Sequence, residues 1–398
     1  MLRTFSKYVF CFCFTFIALY TNAQQPTQID STEKDLAEII GQLFKQQAKP
    51  SQQKKLNFSV VPAAGYAMHT GWAGMVTGNV GFYQGGNNDG VQKISSVLVD
   101  VTYTENRQVL VPLYANIWTK KNKFNIIIDH RYIKYPSKVF GMEDKLDIPS
   151  GYFVDYNGLK LHQSILHSIA KDTYLGLGYY FDALWNVREL DAPAGMKTAF
   201  QEYGIQQKNT AAGPVFQLLY DSRLNTINPL NGTYASIAYR NNLKWMGSTS
   251  SWQSMQIDLR KYIRFPAHSK NTLTFWNLNW FTLSGTPPFL MLPSNGWDDA
   301  YNSGRGYIQG RYRGRNMLYY ETEYRFRISK NGILGGTVFV NGQTFSAEQF
   351  SKYGALKTGY GVGLRIKLNK FSGANICIDY GFGKNGSKGF AVNLGEIF

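Results

Sequence analysis

One guanidinium stands between two glycines, in Gly304-Arg305-Gly306-Tyr307, within the longest stretch that lacks strand-like alternation, Ser284 to Arg315. Glycine on either side lets the backbone approach a wall closely. An arginine delivered that way can make paired, charge-assisted hydrogen bonds to a carboxylate. Glu321 and Glu323, on one side of the following strand, are candidate acceptors, and Asp258 is a third. Three uses fit Arg305: a pin that folds loop 284–315 into an interior, a contact for a substrate, or an exposed cation. A dry pair would cost about 3–5 kcal/mol to break, a wet one much less.

Other constellations carry less. Gly359-Tyr360-Gly361-Val362-Gly363 lies within a strand pattern and precedes no helix, so small interior-facing residues explain it better than a phosphate cradle. His69, His130, His162, His167 and His268 show no ligand spacing, and no metal or cofactor is expected. There is no Gly-x-Ser-x-Gly elbow. His162 and Ser164 share strand parity but lack a third member, so no catalytic residue is named and the chain is not read as an enzyme. Cys377 is the one cysteine after Cys11 and Cys13 of the leader, which excludes a disulfide framework within the chain. The net charge of +16 is dispersed. Together with export, that argues against nucleic acid and for lipid headgroups or lipopolysaccharide as acidic partners.

The element that must position these groups is the β-strand. From Asn57 onward the pattern alternates with period two. In Asn316 to Ile328, Leu318, Tyr320, Phe326 and Ile328 fall on one face, and Glu321, Glu323, Arg325 and Arg327 on the other. Gly359 to Leu368 repeats this, with Val362, Leu364 and Ile366 opposite Gly361, Gly363 and Arg365. Such a charged face cannot line a dry sandwich core, and at mid-bilayer on the lipid side each Arg or Lys would cost about 2–4 kcal/mol. The charged face therefore belongs to a wet lumen. About sixteen segments begin near residues 57, 71, 93, 108, 123, 150, 168, 210, 231, 251, 270, 316, 332, 359, 375 and 388. Long connections follow the fifth, seventh, eleventh and thirteenth, as expected of external loops when the first strand starts at the periplasmic side, while the turn Gln84 to Gln92 on the other side is longer than its neighbours. The fold expected is all-β: an antiparallel transmembrane β-barrel of about sixteen strands, residues 57–398, in the bacterial outer membrane.

Residues 1–23 read as a secretory signal peptide: Arg3 and Lys7, an apolar Tyr8 to Tyr20, then Thr21-Asn22-Ala23. Residues 24–56 read as a polar periplasmic segment with one short amphipathic helix, Leu36, Ile39, Leu43 and Phe44 lying at helical spacing, with Thr32 placed to cap it. That helix either rests on the body of the chain or docks a partner.

Three stretches resemble the BamA/TamA superfamily of outer-membrane assembly barrels, the bacterial surface antigen family. Tyr220-Asp221-Ser222-Arg223, followed by Pro229 and Gly232, is similar to its Asp-x-Arg and Pro-x-x-Gly turn. Arg305-Gly306-Tyr307, followed by Glu323-Tyr324-Arg325, resembles its sixth-loop motif. Asp379 to Gly383 and Gly389 to Phe398 resemble its closing strand. Phe390, Val392, Leu394 and Phe398 then form an outward-facing set that fits an assembly signal read by strand addition. The resemblance implies assistance to the insertion or translocation of proteins, or of lipids, at the outer membrane. Implied partners are unfolded outer-membrane proteins or a periplasmic or barrel partner. Residues 24–56 leave no room for the family's POTRA modules, so a partner-dependent structural barrel and a passive solute pore stay open as alternatives. Asn341 stands where the family often has Asp, and Glu321 or Glu323 would have to replace that carboxylate.

Overall fold

The computed structural model describes residues 33–36, 38–39 and 56–398, less the stretches 85–91, 144, 147–149, 193, 196, 205, 298–301, 349–351 and 371–372. Sixteen barrel strands follow one another as antiparallel neighbours. They are β1 (Leu56–Ala67), β2 (Gly71–Phe82), β3 (Ser95–Thr104), β4 (Val109–Trp118), β5 (Phe124–Lys134), β6 (Tyr152–Ala170), β7 (Thr173–Glu189) and β8 (Lys208–Asp221). The second half comprises β9 (Gly232–Asn242), β10 (Trp252–Arg264), β11 (Thr272–Gly285), β12 (Asn316–Arg327), β13 (Leu334–Ser346), β14 (Lys357–Lys367), β15 (Asn375–Gly383) and β16 (Lys388–Leu394). The start expected near 168 lies furthest from its strand, at Thr173, because Ser168 to Ala170 prolong β6 and Asp172 turns the chain at φ +56°.

Period-two alternation fixes which side chain faces lipid. On β13, Val338 and Val340 are 45% and 52% exposed, whereas Phe339 and Asn341 between them are 5% and 2% exposed. Charged side chains take the inner face, among them Glu321, Glu323, Arg325, Arg365 and Asp379.

β6 and β7 have 19 and 17 residues, more than the roughly 9–11 that cross a bilayer. Their ends continue outside the barrel, where Ser137–Val139 pairs with β6. The loop after β7 carries a one-turn helix, Ala199–Tyr203, that periodicity does not reveal. Its local signal is Thr198-x-x-Gln201: the Thr198 hydroxyl accepts from the Gln201 amide at 3.1 Å, and the Gln201 side chain accepts from the Thr198 amide at 3.3 Å. Phe200 then stacks on Phe289 of the long loop at 4.8 Å.

At the opposite end, the short turns after even-numbered strands receive the chain's early segment. Leu36, Glu38 and Ile39 are helical, and the Asp35 carboxylate accepts from the Glu38 amide at 3.0 Å. Thr32, Leu43 and Phe44 lie outside the described residues. Leu36 and Ile39 are half-buried.

Consecutive strands are joined by hydrogen-bonded ladders from β1 round to β16. No ladder joins β16 to β1 among the described residues, although the two strands lie side by side.

Candidate functional site

The long loop after β11 folds back into the barrel and delivers Arg305 to the inner wall. Glycines make this possible at two levels. Gly304 and Gly306 have φ of +81° and +97°, conformations that side-chain-bearing residues rarely adopt. A Cβ on Gly306 would lie 2.7 Å from the Phe382 carbonyl, and one on Gly359 would lie 2.7 Å from the Arg305 carbonyl. Gly359 of β14, with Gly381 and Gly383 of β15, therefore leaves space for the loop backbone. Tyr307 completes the seat, its hydroxyl donating to the Thr358 carbonyl at 2.6 Å and accepting from the Lys384 amide at 2.8 Å.

The Arg305 side chain is 4% exposed, and those of Glu321 and Glu323 are fully buried. One of its terminal nitrogens pairs with both glutamates, while the other donates to Asp379 Oδ2 at 2.8 Å. The chain of contacts continues into a closed ring. Glu323 meets Arg325, Arg325 meets Glu396 at 3.4 Å, Glu396 meets Arg365 at 3.0 Å, and Arg365 meets Asp379 at 2.6 Å. Three guanidiniums thus face four carboxylates, and each buried charge has an opposite neighbour, as burial requires. Phe339 lies under Arg305 at 3.6 Å, a cation–π contact. Asn341 donates to the Arg305 carbonyl at 2.9 Å, so it holds the loop backbone rather than the guanidinium.

Several expected placements differ from those found. Asp258 does not reach Arg305. It accepts from Arg260 at 2.9 Å and from the Trp276 indole at 3.0 Å. Sequence reasoning misses Asp379, Arg325, Arg365 and Glu396 as members of the cluster, although strand parity puts the first three on the inner wall. Phe398 is not on the outward face. Phe390 is 48% exposed, Val392 and Leu394 are half-buried, but Phe398 is 5% exposed and stacks on Trp276 at 5.0 Å inside the barrel. The cause is Gly395, whose φ of +91° ends the alternation and sends Glu396, Ile397 and Phe398 inward. The Phe398 carbonyl accepts from Arg325 at 3.1 Å.

In the turn after β8, Arg223 donates to both oxygens of Asp221, at 2.9 and 3.0 Å, and lies over Tyr234 at 4.5 Å. Gly232, at φ +122°, packs a would-be Cβ 3.1 Å from the Arg223 Cα, and Pro229 is buried. His162 contacts Asp182 at 3.0 Å and stacks on Tyr180, while the Ser164 hydroxyl has no partner among the described residues.

A family model described as the Omp85 superfamily domain matches residues 95–398. The chain belongs to the Omp85 superfamily. Among solved structures, BamA from Haemophilus ducreyi lacking POTRA domains 1-3 is 15% identical, with a TM-score of 0.51 over 87% of this chain and 70% of that one. CdiB from Acinetobacter baumannii is 14% identical, with a TM-score of 0.54 over 87% of this chain and 61% of that one. CdiB from Escherichia coli is 10% identical, with a TM-score of 0.53 over 86% of this chain and 61% of that one. At these identities the likeness is one of fold, and this chain spans less than two thirds of either CdiB. No curated protein matches it. This Omp85 barrel resides in the bacterial outer membrane.

Proposed function

We propose that this Omp85 barrel helps proteins, or alternatively lipids, insert into or cross the outer membrane, with the β1–β16 boundary as the working part. The observation that carries the reading is that this is the one neighbouring pair in the ring without a ladder among the described residues. A Cβ on Gly65 would lie 3.1 Å from the Val392 Cβ, and one on Gly389 would lie 2.2 Å from the Met68 Cγ. Both contacts fit a single antiparallel register, which places Leu394 opposite Ala63. Beyond Leu394 the chain turns into the lumen, so among the described residues Leu56 to Pro62 of β1 have no strand on that side. An edge of this kind is a template on which an incoming strand adds its own hydrogen bonds. Glu396, immediately past β16, belongs to the ring around Arg305. That ring gives the lumen loop a physical connection to the boundary.

The test is to lock the boundary. Gly65→Cys and Val392→Cys together, in a Cys377→Ser background, place two thiols close to the Cβ separation of a disulfide, about 3.5–4.5 Å. Oxidation is expected to abolish the barrel's contribution to growth or outer-membrane assembly, and reduction to restore it. A control pair within one external loop should have no effect. Normal function of the locked barrel would overturn the reading in favour of a partner-dependent structural role. Steady conductance from the purified protein would instead favour a solute pore.

A further inference from the structure

A cavity of about 700 Å3 opens at the end of the barrel that carries the turns after β8, β10, β12 and β14. Arg264, Lys270, Arg327, Lys367 and Lys370 line it, and Arg325 and Arg365 of the buried ring form its ceiling. The acids on its lining are Glu33 and Glu396. Nη1 of Arg325 is buried against it with no partner among the described residues. Outside the ring, five cations gather at one mouth, unlike the dispersed charge of the rest of the barrel, and the body of the barrel supplies no carboxylate among the described residues lining the mouth except Glu396 of the ring. Like charges gathered in a cleft attract anions over a distance of about one Debye length.

The structure also shows what sort of anion fits. The early segment lies across this mouth as an acidic peptide. The Glu33 carboxylate bridges Lys270, at 2.7 Å, and Arg327. Glu38 pairs with Lys370, and the Asp35 carboxylate accepts from the Lys370 amide at 3.3 Å. The backbone takes part as well, the Lys34 amide donating to the Asn331 carbonyl at 3.0 Å. Burial would raise the Glu33 carboxyl, but hydrogen bonds from Lys270 and Arg327 outweigh it and hold it below its ordinary range. Carboxylates spaced along a peptide, with backbone contacts between them, match turn-borne cations around a rim better than a single point charge does.

We propose that this basic mouth is a docking site for an acidic peptide segment of another protein, and that the early segment, through Glu33, Asp35 and Glu38, is its intramolecular competitor. A site filled in cis binds a trans ligand more weakly by the fraction of time it is free. If the segment is docked nine tenths of the time, releasing it should tighten trans binding by about tenfold.

The probe is a fluorescent peptide copying Asp30–Ile39, titrated against the purified full chain in detergent. The Glu33→Gln/Glu38→Gln variant should bind it about tenfold more tightly than the unaltered chain. Adding Lys270→Ala, Arg327→Ala and Lys370→Ala to that variant should remove binding, and 0.5 M salt should weaken it. A Glu33→Cys/Lys270→Cys disulfide in the Cys377→Ser background should block the peptide until it is reduced, which separates docking from any effect on folding. Equal binding to the unaltered chain and the Gln variant would overturn the proposal, as would binding that survives loss of the three cations. Preference for inorganic phosphate or phosphatidylglycerol vesicles over the peptide would overturn it too, assigning the mouth to headgroup phosphate.

Discussion

The β12–β15 wall and the β1–β16 boundary are built from the same alternating strands, yet they are held in opposite ways. Across the wall, β12 pairs with β13 from Asn316–Ser346 to Arg327–Gly335, and the ring of Arg305, Glu323, Arg325, Glu396, Arg365 and Asp379 stitches it from inside. At the boundary, β16 has seven residues, no ladder crosses to β1 among the described residues, and side-chain packing such as Gly65 on Val392 and Met68 on Gly389 joins the two strands. Alternation alone therefore does not decide how firmly a strand is held. The added ion pairs and the glycine-opened space for a loop brace one side, and the other side stays available as an edge.

Hydrogen exchange should show the largest contrast. Amides in a doubly paired strand exchange only on extensive opening, whereas an unpaired edge exchanges through local motion costing close to 0 kcal/mol. Every second amide of Leu56 to Val61 is expected to exchange orders of magnitude faster than Tyr319 to Tyr324 of β12, measured by mass spectrometry in detergent micelles. Equal protection would mean that the boundary is laddered in solution, and the contrast would collapse.

Next in size is Arg305→Ala. It leaves Glu321, Glu323 and Asp379 buried around a missing cation, at a cost of about 3–5 kcal/mol. The urea midpoint should fall, and residues 302–315 should become cleavable by added protease. Arg305→Lys should recover only part of this, because one ammonium cannot reproduce a planar fork shared among three carboxylates. The same variant examines the link between wall and boundary. Glu396 sits in the ring, so Arg305→Ala should also alter the rate at which the thiols of the Gly65→Cys/Val392→Cys pair cross-link. An unchanged rate would show that the ring braces the wall alone.

What could be read from the residues follows from the range of the forces involved. Strand number and inner faces were legible because period two is local and repeats for ten residues or more. The lumen loop was legible because Gly304-Arg305-Gly306 concentrates positive φ and a fork-shaped cation within three residues. Asp379 was not legible as a partner, since β15 lies three strands from β12 and only barrel curvature brings their inner faces to one guanidinium. Phe398 departs from its expected face for a local reason. Parity carries it outward from Leu394, and the left-handed turn at Gly395 reverses that. The capped turn Thr198-x-x-Gln201 was legible in principle, but five helical residues are too few for periodicity to register.

The smallest effect should come from Asp258, and it marks where the braced region stops. Asp258 shares inward parity and one acid type with the Arg305 partners, so sequence cannot tell it from them. In the structure its oxygens serve Arg260 and the Trp276 indole, and the β11 wall separates it from the ring. Asp258→Asn keeps the shape and one acceptor, so about 1–2 kcal/mol should be lost through the weakened Arg260 and indole bonds. Protease protection of residues 302–315 should stay at its unaltered level, in contrast to Arg305→Ala. Arg260 also lies 5.4 Å from the Trp276 ring on which Phe398 stacks. A change in Trp276 fluorescence is therefore expected even where the loop does not move. If Asp258→Asn exposed the loop as Arg305→Ala does, the clasp would extend to β10, and the division between a braced wall and an open boundary would have to be redrawn around half the barrel.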